Sequence, residues 1–267
     1  MSSTLTGDGR RAKISARTLR TDRWWLFPLG NAVALGIFLL YATVRLFWDK
    51  SYFVEDFHYV APFYSPCLST DCVDGTSPFG QPIGSLPAWM SPAMIILALP
   101  GGFRATCYYY RKSYYRSFWF SPPACAVAEP HKTYSGETKF PLIFQNAHRW
   151  FFYAAVVVGL ILTYDAVLAF HGDGGGVGIG LGTLILVVNA ALIWAYTLGC
   201  HSCRSITGGR LNHFSRHPVR YWVWTQVSKL NARHGQFAFI SMYSIVIADL
   251  YVWLVASGTI SDLRIIN

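Results

Sequence analysis

HRWFFYAAVVVGLILTYDAVLAF (148–170), HGDGGG (171–176) and VGIGLGTLILVVNAALIWAYTLGC (177–200) decide the fold class. Two long apolar runs are separated by a short glycine-rich turn. A helix rises about 1.5 Å per residue, so about 20 apolar residues cross a hydrocarbon core of about 30 Å. Each run meets that length, and the glycines suit a tight turn between antiparallel spans. Working outward, three more segments read as spans: 25–47, 88–110 and 235–257. The segment 88–110 is interrupted by Pro92, Pro100 and Gly101–Gly102. With 148–170 and 178–200 this predicts an all-α membrane protein of five transmembrane helices around a four-helix-bundle core. The domain reading is a basic segment at 1–24, an anchor domain at 25–257 and a tail at 258–267.

Composition agrees. The 267 residues are 53% hydrophobic and only 13% charged. The formal net charge of +9 would suit nucleic acid, but its placement points elsewhere. Six basic residues lie in 1–23, seven in 104–149 and six in 200–234. The segment 48–87 has Lys50 against Asp49, Glu55, Asp56, Asp71 and Asp74. By the positive-inside rule the amino terminus is cytoplasmic and the tail external. The first span is too long for a cleaved signal and lacks a small-residue cleavage site after it. Trp24, Trp25, Trp48, Trp150 and Trp253 stand near span ends, as interfacial anchors do.

The cysteines divide by side. Cys67 and Cys72 (CLSTDC) fall in the acidic outer loop, where a disulfide is expected. A thiol-oxidoreductase using that pair is a rival reading. Cys107, Cys125, Cys200 and Cys203 fall on the reducing side, where metal or cofactor binding is the better expectation. By depth, Cys107, His148, Cys200 and His234 stand on four helices near the inner surface. If the helix continues, Cys203 shares a face with Cys200 and His201 points elsewhere. Two thiolates and two imidazoles suit a Rieske-type [2Fe–2S] cluster or a tetrahedral zinc ion. Haem b between His148 and His234 is the alternative, and a cofactor-free anchor the bland reading. Cys125 and His131 are substitutes if their loop folds back.

Asp165 and Asp249 lie inside spans, and Arg45 stands at a similar depth. They read as an Asp–Arg pair or as a proton-transfer group at an outer quinone site, with Tyr164 and Tyr251 nearby. A transporter reading rests on these acids alone and lacks paired broken helices. The stretch RATCYYYRKSYYRSFWFSPP (104–123) crowds Tyr and Arg at one interface. Tyr108, Tyr110, Arg111 and Trp119 suit a quinone headgroup pocket, donating hydrogen bonds to carbonyl oxygens. Plain interfacial anchoring is the other reading.

The runs FRATCYYYRKSYYRSFWFSPPACAVAEPH (103–131), GETKFPLIFQNAHRWFFY (136–153) and LGCHSCRSITGGRLNHFSRHPVRYWVW (198–224) resemble the membrane-anchor subunit of actinobacterial-type succinate dehydrogenases. The resemblance covers about 25–265. It implies a five-helix anchor in the bacterial plasma membrane, holding a flavoprotein and an iron–sulfur subunit. It implies electrons passing from succinate, through the partners' FAD and iron–sulfur centres, to menaquinone. Basic loops 104–147 and 201–234 would dock the partners. Many five-helix anchors of the wider family carry two haems b, whose interior histidines this chain lacks.

Overall fold

The computed structural model describes Arg20, residues 22–121, 124–127, Phe140 and 142–266. Residues 1–19, which hold most of the basic amino-terminal segment, lie outside that description, as do His131 and Asn267. The chain forms two compact units: Met1–Ile37 with Ala105–Asn146, and Phe38–Arg104 with Ala147–Asn267.

Among the described residues, four helices are long and apolar enough to cross a membrane. They are α1 (Leu26–Phe47), α4 (His148–Leu168), α5 (Leu181–Leu198) and α8 (His234–Ala256). Their bounds fall within a few residues of the segments read from hydropathy. The 88–110 segment is different. It forms α2 (Pro92–Ala105), of 14 residues, and then breaks. Cys107 is extended (φ −69°, ψ 132°) and caps a separate helix, α3 (Tyr108–Ser117). At 1.5 Å per residue, α2 covers only about 21 Å. Pro100 is tolerated inside α2, and the break comes where the sequence turns polar.

In the larger unit, α4, α5 and α8 pack with small residues at their contacts. Along α4 the buried face is Phe152, Ala155, Gly159, Leu162, Asp165 and Ala166. These spacings of three and four residues form one helix face. A Cβ on Gly159 would sit 3.3 Å from the Trp194 ring, so α4 and α5 approach closely there.

One end of this bundle is capped by residues 48–87. Phe53–Val54 (β1) pairs antiparallel with Tyr59–Val60 (β2), and Cys67 is bonded to Cys72. Tyr52, Tyr59, Phe63 and Tyr64 pack with Ala166, Ala169, Leu186, Ala190, Ala248 and Val252. The expected disulfide is therefore present. The turn 171–176 places Gly174, Gly175 and Gly176 at positive φ, where a side chain would be strained.

The carboxyl-terminal residues return to the same end. Arg264–Ile266 (β4) pairs with Ile179–Gly180 (β3). Asp262 ties this return together. Its Oδ1 accepts from the Tyr251 hydroxyl (2.6 Å) and the Gly182 N–H (3.0 Å). Its Oδ2 accepts from the Tyr59 hydroxyl (3.0 Å) and pairs with Arg264 (3.4 Å). Burial works to raise the Asp262 pKa. The hydrogen bonds from Tyr251, Gly182, Tyr59 and Arg264 outweigh it and hold the carboxyl below its ordinary value. A depressed pKa adds stability above the unfolded value, and that stability is lost as pH falls through the folded value. Asp262→Asn is expected to lower stability by about 1–3 kcal/mol. Thermal melts in detergent should show a lower midpoint at pH 7, with the gap to wild type closing in acid.

At the opposite end, α6 (His201–Gly208) and α7 (Pro218–Ala232) form the connection between α5 and α8. The helix α7 starts at Pro218 and contains WVWTQVSKLN (222–231). Arg204 stands over the Trp224 ring at 5.4 Å, and Arg220 Nε donates to the Thr207 carbonyl (2.7 Å).

Candidate functional site

The histidine end of the larger unit is built from four helix termini. α4 begins at His148, α8 begins at His234, the last turn of α2 holds Phe103 and Arg104, and α5 ends just before Gly199. The helix does not continue through Gly199. Cys200 is extended (ψ 145°) and becomes the amino-terminal cap of α6, its Sγ accepting from the Ser202 N–H at 3.3 Å. Cys200 and Cys203 therefore do not share a continuous α5 face. His201 turns back, and its ring meets that of His234 edge-on at 6.1 Å.

Two stacks fix the imidazoles. His148 lies flat on Phe103 (4.8 Å between centroids, 6°) and places Nε2 3.0 Å from Cys200 Sγ. His234 lies flat on Tyr196 (5.0 Å, 4°). Phe103 and Tyr196 touch at 5.2 Å, so the stacks are joined. Arg104 stands over Tyr196 at 4.8 Å and donates to the Ala238 carbonyl and Ser241 Oγ, both at 3.2 Å. A Cβ on Gly199 would lie 3.3 Å from His234 Nδ1 and 2.7 Å from the Ala195 carbonyl, so only glycine fits. Asn231 Nδ2 holds the Gly199 carbonyl at 2.8 Å.

Cys200 is fully buried, and Cys203 and His234 are buried beside it. Burial, and after it the charge of Arg204, lowers the His201 pKa, keeping that imidazole neutral. Burial also raises the Cys203 thiol, which keeps its proton unless a cation draws it off. The thiols and His234 are buried, while His148 is half-buried and His201 is exposed. Among the described residues no three His, Cys, Asp or Glu side chains converge as they would on a single metal ion.

The other sequence-read residues fall elsewhere. In the smaller unit, Cys107 is buried at the start of α3. Tyr108 and Trp119 are exposed while Tyr110 is buried. Arg111 stands over the Tyr108 and Tyr115 rings at 6.0 and 5.8 Å. Cys125 is exposed, and its carbonyl accepts from Arg20. At the capped end of the larger unit, Arg45 Nε donates to Asp249 Oδ2 (2.6 Å), and Tyr41 donates to the same oxygen (2.6 Å). Asp165 accepts from the Ser65 hydroxyl instead. Phe103, Arg104, Tyr196, Gly199 and His201 take part in the histidine-end site without having been singled out as its members. The four-residue spacing of Tyr196 and Cys200 is no guide to them, because α5 ends at Leu198.

Comparison with known proteins follows the same lines. The family model of the actinobacterial succinate dehydrogenase subunit SdhC matches residues 26–258. A chain of the Mycobacterium smegmatis Sdh1 complex, solved in the apo form, is 60% identical. That match covers 98% of both chains with a TM-score of 0.90. No functionally curated protein matches the chain.

Proposed function

Since the chain belongs to the actinobacterial succinate dehydrogenase subunit SdhC family, we propose that it anchors that enzyme in the membrane and passes electrons from succinate oxidation to menaquinone. It does not itself oxidise succinate. The flavoprotein subunit, with its FAD, and the iron–sulfur subunit dock on the basic loops 104–147 and 201–234. Exposed Val219 and Trp222 on α7 give that surface an apolar patch among arginines. The amino terminus is cytoplasmic, the disulfide cap is external, and α2 with its flanking residues makes the fifth crossing. The alternation of basic loops supports this topology.

The observation that carries the electron-transfer reading is the half-buried pairing of His148 with Cys200 at 3.0 Å, at the same end as buried Cys203 and His234. His148, Cys200 and His234, with Cys203 as the substitute for Cys107, which lies in the smaller unit, are the proposed ligands of a Rieske-type [2Fe–2S] cluster. Such a cluster accepts and releases single electrons. The chain's own part is to fix both imidazoles by stacking, exclude water, and hold Arg104 as a permanent positive charge beside Tyr196. Tyr108, Tyr110, Arg111 and Trp119 form the proposed quinone headgroup surface. The Arg45–Asp249 pair holds the external half of the bundle, and Asp165 handles protons.

Iron, acid-labile sulfide and pyridine-haem content of the purified chain test this, with EPR of the reduced form. Equal iron and sulfide without haem is the expected result. Haem without sulfide would move His148 and His234 to axial ligands of haem b. Neither would leave a cofactor-free anchor. The thiol-oxidoreductase reading is not favoured: Cys67 and Cys72 are buried within the cap, which hinders attack by a thiol partner.

A further inference from the structure

The carboxyl-terminal strand has its polarity inverted. In an extended chain successive side chains point to opposite faces. Here the charged residues are the ones turned inward: the Asp262 side chain is 0% exposed and that of Arg264 15%. The apolar residues between and after them are turned outward, with Leu263 67% and Ile265 60% exposed. Ile266 is exposed too, as is Val177 at the start of the partner segment. A strand with one face in water shows the opposite order, apolar side chains inward and polar ones outward.

The inversion is fixed by the bonds that the inward charges make. Asp262 is held by Tyr251, Gly182, Tyr59 and Arg264. The Arg264 guanidinium also lies over the Phe57 ring at 4.3 Å. Turning the strand over would break all of these contacts and bury two hydrocarbon side chains in their place.

The strand's position identifies what covers the outward face. The Leu181 N–H donates to the Leu263 carbonyl at 2.9 Å, and Leu181 is the first residue of the membrane-length helix α5. Leu263 is therefore level with the end of a span. Leu181, Leu184 and Val188 are exposed at spacings of three and four residues, which is one helix face. The apolar side chains of β4 thus adjoin a stripe that faces hydrocarbon. Even pointed straight out of the membrane, Ile265 lies no more than about 7 Å beyond Leu263. The polar layer of one leaflet is about 5–8 Å thick, so the strand stays within it. Trp48 and Trp253, packed edge-on at 5.9 Å at this same end, suit that boundary.

We propose that Val177, Leu263, Ile265 and Ile266 seat the carboxyl-terminal strand in the lipid leaflet at the capped end, where headgroups meet acyl chains. The occupant of this face is phospholipid. Both charges of the strand are turned inward and paired with each other, so the surface offers apolar contact rather than recognition of one headgroup. The strand ties the end of α8 back to the start of α5, so seating it in lipid sets the depth of the capped end. The inference needs only that the chain spans a membrane and is independent of the cofactor and quinone readings.

Site-specific photocrosslinking in the assembled complex, in bacterial membranes, tests this. p-Benzoylphenylalanine is placed at Ile265 and, in a second variant, at Leu263. Both side chains point away from the fold, so the added ring displaces no core residue. Ile247, exposed midway along α8, is the lipid-facing control, and Asp74, exposed in the cap, is the water-facing control. Intact complex and dye-linked succinate oxidation show that each variant is assembled. After irradiation, mass spectrometry of the chain is expected to find phospholipid adducts at Ile265 and Leu263. Their yield should approach that at Ile247 and exceed that at Asp74 by about tenfold or more, since a site at the headgroup boundary meets acyl C–H bonds. Crosslinks from both positions to a second copy of the chain or to another protein would overturn the proposal and make this face a protein interface. Adduct yields no higher than at Asp74 would overturn it as well and leave the strand in water.

Discussion

Asp249→Asn is expected to strip most of the folded chain from the membrane fraction, while Arg45→Met at the same pair is tolerated better. The two side chains are essentially fully buried, with Nε 2.6 Å from Oδ2. Breaking a buried ion pair by removing one partner costs about 3–5 kcal/mol, because the other charge stays behind uncompensated. The two halves are not equivalent. A carboxyl left alone can bind a proton and become neutral, but a guanidinium cannot release one. Arg45 has further partners besides Asp249. Nη1 donates to the Trp48 and Lys50 carbonyls at 3.2 and 3.3 Å, and the guanidinium faces the Tyr64 and Trp253 rings at 5.2 and 5.7 Å. Those contacts hold the cation in place but do not neutralise it, so removing Asp249 is the more damaging change. Arg45→Met with Asp249→Leu, which removes both charges, should recover much of the loss. Melting midpoints in detergent and immunoblots of membranes report the order. A double variant no better than Asp249→Asn would show that the pair does more than balance charge.

The same pair shows how far the sequence carries. Hydropathy and loop charge locate α1, α4, α5 and α8, because a membrane span must satisfy its backbone within itself and present apolar side chains for about 20 residues. Depth along those helices then brings Arg45 near Asp249 on paper, and the hydrogen bond realises it. Depth fails for Asp165. At one residue per 1.5 Å it sits level with both, yet helix rotation turns it toward Ser65. Length also fails where a helix ends early. Cys107 and Cys200 both stand at breaks, extended and capping the next helix, and an apolar run does not announce such a break. Gly199 does carry the signal, since glycine closes helices, but only the contact with His234 Nδ1 shows why nothing larger fits. The stacking partners Phe103 and Tyr196 were hidden by their type. Aromatic residues near span ends are common enough in membrane proteins that none stands out before the rings are seen face to face.

Cys200→Ser is the variant that separates a ligand from a packed thiol. Cys200 has two structural duties: its Sγ caps α6 by accepting the Ser202 N–H, and it meets His148 Nε2. Serine performs the first duty at least as well, because its hydroxyl is among the best helix caps, where losing a cap costs about 1 kcal/mol. It is also small and able to hydrogen-bond an imidazole nitrogen. On structural grounds alone the substitution should be close to neutral. As an iron ligand it is not neutral, because a hard alkoxide is a poor replacement for a soft thiolate. If the cluster assignment holds, the reduced protein should lose its EPR signal, and quinone reduction should fall by a factor of about 100 or more, as electron transfer loses its carrier. Dye-linked succinate oxidation and the detergent melting midpoint should stay near wild type. Haem between His148 and His234 predicts the opposite pattern, with visible absorbance retained in Cys200→Ser and lost in His148→Ala. An unchanged EPR signal and full quinone reduction in Cys200→Ser would leave this thiol as packing, and the ligand set would have to be drawn from Cys107 and Cys203.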